Sequence, residues 1–268
     1  MNRALFRAMF KQHRKKIAVI STGIVLYEGL LTWVYPVIAE NPAVTEIAVS
    51  LPTAVKTVFG VPENARTDTF EAFISGQFFA RIWVMLMAVY GIQTANNLLA
   101  KMVDDCSIAL LLSTPISRSE ILSTQAAVLI FLGGILVTVT ILGLFFGASR
   151  SGITICHDRY VRLGLLGFSF FSLIEIYSLF FSVWFVEEER ALTYAAGLTL
   201  IFYCLDIVGG LSNKYSWLKK VSLFQLFQPQ EVLEGSKNPA GSIVGLNLVS
   251  MILWQWAKRV FESQDLAI

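Results

Sequence analysis

Four ionisable side chains, Glu28, Arg81, Glu175 and Asp206, stand inside long apolar runs of this chain. A charge held in hydrocarbon costs about 3 kcal/mol or more, so each must face protein or water, or find a partner. Counting along the runs in alternating direction puts Arg81 and Asp206 in the outer half, where a structural ion pair between them is expected. Glu28 and Glu175 both fall near the middle. They either line a polar path or are satisfied as buried acids within a helix bundle. A proton relay has no histidine to support it, because His13 and His157, the only two, fall on opposite sides of the membrane. The same separation excludes a histidine pair as a metal site, and no metal ligand set is expected. Cys106, Cys156 and Cys204 are odd in number and far apart, so they offer neither a disulfide framework nor zinc-ligand spacing.

Other reaction classes find little material. Glu187, Glu188, Glu189 and Arg190 form a charge run at a loop, the second candidate cytoplasmic contact. The first two acids resemble the start of an intramembrane protease motif, but the histidines such a motif needs in later spans are missing. No G-x-x-x-x-G-K-[ST] phosphate loop occurs, so the chain does not bind ATP by that device. No cofactor of its own is expected, the chain reads as a non-enzyme, a net charge of +2 says little about partners, and no nucleic-acid partner is expected.

The elements that would hold these residues are membrane helices. Of the 268 residues, 55% are hydrophobic and only 15% charged, with a mean hydropathy of +0.64. A soluble domain carries roughly a quarter charged residues, so much of this surface must meet something other than water. Apolar runs near the roughly 20 residues that cross a bilayer core recur along the chain. They predict an all-α polytopic protein with six spans, at about 17–38, 78–100, 121–147, 161–186, 191–211 and 242–256, the last the shortest. Residues 17–268 then form one transmembrane domain. Residues 1–16 carry Arg3, Arg7, Lys11, Arg14, Lys15 and Lys16 with no acid, which places the N-terminus in the cytoplasm. Leu5 with Met9, and Phe6 with Phe10, share a helical face, so an amphipathic elbow helix in the interface is expected there. Six spans make both termini cytoplasmic, and the absence of a short cleavable leader suits a multi-pass plasma-membrane protein. Residues 212–241 are too polar to span. Trp217-Leu218 and 221–227 within them fit short re-entrant or interfacial helices before the last span.

Between spans two and three, residues 101–120 do more than a polar connection requires. Asp104 and Asp105 precede Ile108, Leu110, Leu111 and Leu112. Pro115 then disfavours helix at Thr114. Ser117 and Glu120, on either side of Arg118, give the S-x-x-E capping pattern for the next helix. A short helix with an apolar edge is suited either to docking on something outside the membrane or to lying on lipid.

The run Leu111-Leu112-Ser113-Thr114-Pro115-Ile116-Ser117-Arg118, followed by Ile121-Leu122, resembles the cytoplasmic signature of ABC-2 type permeases, the transmembrane subunits of ATP-binding-cassette exporters. Supporting matches are Leu51-Pro52, Phe59-Gly60, Arg190 with Ala195-Ala196-Gly197, Trp217-Leu218, Ser222-Leu223-Phe224, Pro229, and the closing Phe261 to Leu266. The chain departs from the pattern at Asp104-Asp105, where no glycine follows, at Gln125, where a lysine is common, and at Gln264, where arginine is usual. The resemblance implies a transport half that exports a lipophilic or amphipathic compound: an antimicrobial peptide, a drug or a lipid. It implies two ABC ATPase subunits that bind ATP and Mg, and a second permease subunit making a homo- or heterodimer in the lipid bilayer. It also implies that Asp104, Asp105, Ile108, Leu110, Leu111, Leu112, Pro115 and Arg118 form the coupling helix seated on the ATPase. The alternatives are a stand-alone secondary transporter or channel, a membrane enzyme, and a sensing or scaffold subunit.

Overall fold

The computed structural model describes residues 2–39, 69–105, 116–185, 187–211 and 213–263. Six helices are long and apolar enough to cross a membrane: α1 (Arg3–Ala39), α2 (Phe70–Asp104), α3 (Arg118–Arg150), α4 (His157–Trp184), α5 (Glu188–Leu211) and α8 (Ala240–Ser263). Two short helices, α6 (Ser216–Val221) and α7 (Pro229–Glu234), lie before the last span with two 3₁₀ turns. No strand occurs among the described residues. The six expected spans are all present. The sixth, expected at 242–256, is a 24-residue helix, because Ala257–Phe261 extends its buried face at the far end.

The boundary expected at residue 16 carries no break, since α1 runs through it for 37 residues. The apolar face of its first turns meets α3: the Phe6 and Phe10 rings lie 5.7 and 5.9 Å from that of Phe131. The Asn2 backbone N–H donates to Thr124 Oγ1 at 3.0 Å. The basic residues Arg3, Arg7, Lys11, Arg14 and Lys15 remain exposed on the other side.

The capping pattern before α3 is realised: Ser117 Oγ accepts from the Glu120 N–H at 3.2 Å, satisfying a donor that the first helical turn leaves free.

At the centre stands α4, the most buried of the six, while α5 and α8 are the least. Around its N-terminal half gathers an aromatic core. The segment Ser75–Trp83 of α2 is wound as π-helix, a rare winding often found at functional sites. It buries Phe78, Phe79 and Trp83. Trp83 Nε1 donates to Thr140 Oγ1 on α3 at 3.0 Å, and its ring stands edge-on to Phe171 of α4 at 4.8 Å. Gly167 of α4 lies under the Trp83 ring with no room for a β-carbon. The outer segment closes the cluster, with Phe227 stacked on Phe170 at 5.0 Å.

Candidate functional site

Asp104 and Asp105 close the C-terminal end of α2, both exposed. The helix has broken just before them, at Leu99 (φ −131°, ψ −67°), which frees the Leu98 carbonyl. Gln125 of α3, fully buried, donates its side-chain amide to that carbonyl. One residue pair thus fastens α2, just before its break, to the third span. A second contact fastens it to the fifth: Asp104 Oδ2 accepts from the Glu188 backbone N–H at 3.4 Å. Its negative charge there faces the N-terminus of α5, where the helix dipole favours an anion. Asn96 Nδ2 also reaches Glu188 Oε1, at 3.5 Å.

The end of α2 and the start of α5 therefore converge on one patch. Asp104, Asp105, Glu187 and Glu189 are exposed in it, while Arg190 pairs with Glu187 at 2.7 Å. Arg118 opens α3. Ile108, Leu110, Leu111, Leu112 and Pro115 lie outside the described residues, as do Leu51-Pro52, Phe59-Gly60 and the stretch from Gln264 to Leu266. Gln125 is the residue sequence reasoning under-read. It stood out only as a departure from a pattern, and its partner is a backbone carbonyl freed by a helix break that no spacing announces.

The four intramembrane ionisable residues do not assemble into one path. Glu28 is fully buried where α1 crosses α3, against Gly143. Four residues on, Thr32 meets Gly147, so a Gly-x-x-x-Gly face on α3 receives the polar side chains of α1, a close approach that small residues permit. Glu175 of α4 is equally buried but meets Gly91 of α2 and Gly133 of α3. Gly133 and Gly143 are ten residues apart on α3, about 15 Å along its axis. The two acids sit at different depths on different interfaces.

The expected ion pair between Arg81 and Asp206 is not formed among the described residues. Arg81 stands near Tyr203 of α5, and Asp206 is within electrostatic reach of Lys219 on α6. The reason is the close approach of α6 to α5 at Gly209, where a β-carbon would fall 2.6 Å from the Lys219 backbone nitrogen. That contact brings Lys219 within electrostatic reach of Asp206.

Six long apolar helices, with the end of α2 and the start of α5 meeting at one end of the bundle, describe a multi-pass membrane protein. Residues 26–261 match the family model of the ABC-2 family transporter protein. The chain belongs to the ABC-2 transporter family. Comparison with curated proteins and with solved structures finds no match. As an ABC-2 family member the chain is a multi-pass membrane permease subunit of an ABC transporter, a type that associates with ABC ATPase partners.

Proposed function

We propose that this permease subunit exports a lipophilic or amphipathic compound across the plasma membrane, driven by two separate ATPase subunits docked on its cytoplasmic patch. A second permease subunit completes the pathway, and both termini lie in the cytoplasm. The observation that carries this reading is the double fastening of the end of α2, to Gln125 on α3 and to Glu188 on α5. A partner gripping residues 106–115 thereby pulls on two further spans at once. An ATPase dimer that closes on ATP does useful work only if it binds the two permease states unequally. A rigid junction between the gripped segment and the spans supplies that difference. The substrate class is supported by an apolar groove of about 790 Å³ between α3 and α4, bordered by Phe131, Leu142, Leu165 and Phe168, a size that suits a drug-sized ligand.

The test is copurification of the native complex in mild detergent, with ATPase activity measured against candidate substrates. Leu110→Asp and Leu111→Asp should release the ATPase or uncouple hydrolysis from transport while leaving membrane insertion intact. Transport by the purified chain without an ATPase would overturn the reading in favour of a secondary transporter.

A further inference from the structure

Buried serine and threonine hydroxyls in a membrane helix normally return their hydrogen bond to the carbonyl one turn back. In the bundle this rule is kept by Thr140 to Leu136 O (2.9 Å), Ser169 to Leu165 O (3.1 Å), Ser178 to Ile174 O (2.6 Å), Ser182 to Ser178 O (3.0 Å) and Thr199 to Ala195 O (2.8 Å). Thr94 on α2 and Ser172 on α4 break it: both are at least nine-tenths buried, and neither hydroxyl has a partner. The Tyr90 hydroxyl is buried as well and forms no bond of ordinary geometry, the Thr94 side chain one turn on being close enough to interact with it. These three side chains lie within one helical turn of the place where α2 meets the Glu175 carboxyl group. Ser172 is one turn from Glu175 on the same face of α4. Tyr90 lies beside Thr94 and within electrostatic reach of Glu175. Gly91, between them in sequence, is where α2 touches Glu175, since a β-carbon there would stand 3.0 Å from Glu175 Cγ.

We propose that Glu175, Tyr90, Thr94 and Ser172 form a binding site for a small monovalent cation of the sodium type, buried between the second, third and fourth spans. Unpaired polar oxygens in a protein interior are costly and call for a missing partner. Two carboxyl oxygens and three hydroxyl oxygens, with no imidazole or thiolate, are the donor set of a hard cation rather than a transition metal. One carboxylate balances one positive charge, whereas a divalent ion would leave a net charge buried. Glu175 forms no ion pair among the described residues, and Lys16 lies over the Tyr90 ring at 5.3 Å and bonds Gln93 Oε1 at 3.4 Å.

The full-length chain, purified in mild detergent in a choline buffer, is tested for ²²Na⁺ binding with its thermal melting followed in parallel. Saturable binding and a Na⁺-dependent rise in melting temperature, beyond that given by choline, are expected. Glu175→Gln should weaken ²²Na⁺ binding at least about tenfold, or about 1.4 kcal/mol. Thr94→Val and Ser172→Ala, which keep size, should each weaken it several-fold and decide the matter if Glu175→Gln fails to fold. Glu28→Gln, the other buried acid, should leave binding unchanged. No saturable binding by the folded wild-type chain, equal stabilisation by sodium and choline, or unaltered binding in the Thr94 and Ser172 variants would overturn the site.

Discussion

The Glu28 carboxyl on α1 rests on Gly143 of α3 so closely that a β-carbon at residue 143 would fall 2.6 Å from Glu28 Oε2. Glu28 is fully buried, Gly143 is half-buried, and neither Glu28 oxygen has a hydrogen-bond partner. Close approach of two helices has been gained here by removing a side chain from one of them. The polar group on the other is left without the water it would have had.

Gly143→Ala should therefore lower stability by about 1–3 kcal/mol, the usual cost of overpacking. Adding Glu28→Ala should recover most of that loss, because the clash and its partner vanish together and contacting sites are not additive. Melting of the four variants of this double-mutant cycle in one detergent checks it. Additive losses would place the strain elsewhere.

Gly167→Ala offers a harsher case. The obstacle there is the Trp83 ring, flat, rigid and fixed by its bond to Thr140, so it cannot swing aside as a carboxyl can. The loss should exceed that of Gly143→Ala in the same melting assay, and Trp83→Ala should cost about 3–5 kcal/mol through the cavity it leaves.

Gln125→Ala should cost about 1–3 kcal/mol by orphaning the buried Leu98 carbonyl. Under the coupling proposal it should also reduce ATPase stimulation by substrate more than Asp104→Ala does. The contact Asp104 makes with the Glu188 N–H is long and exposed, so its loss should hardly change melting. Comparing melting with coupled ATPase activity separates the two effects.

Cys156 is exposed just before α4, on the side that the proposed topology assigns to the outside. A membrane-impermeant maleimide should label it in intact cells. A cysteine placed at Lys101, exposed at the opposite end of the bundle, should react only after permeabilisation. The reverse pattern would invert the topology.

Gly235→Ala should loosen the outer segment. Gly235 adopts φ 80° in closing α7, a conformation costly for residues with a β-carbon. It also lies under the Arg159 guanidinium, whose Nη1 donates to the Leu233 carbonyl at 3.0 Å. Faster proteolysis within 213–239 from the outer face is the expected readout.

The number of spans, their approximate ends and the capping of α3 by Ser117 could all be read from the chain. Hydropathy and capping depend on residues within a few turns of each other, and the membrane imposes one length on every crossing. The family could be recognised from a local signature for the same reason. The partners of the buried acids could not be read this way. Counting placed Glu28 and Glu175 at similar depth and matched Arg81 to Asp206. The structure instead sets Glu28 on Gly143, Glu175 between Gly91 and Gly133, and Asp206 near Lys219. Which helix faces meet is decided where small residues allow backbones to approach, and that depends on pairs of residues far apart in sequence. One-dimensional patterning tells which stretches cross the bilayer, and only the packing of those stretches determines what each polar side chain touches once inside.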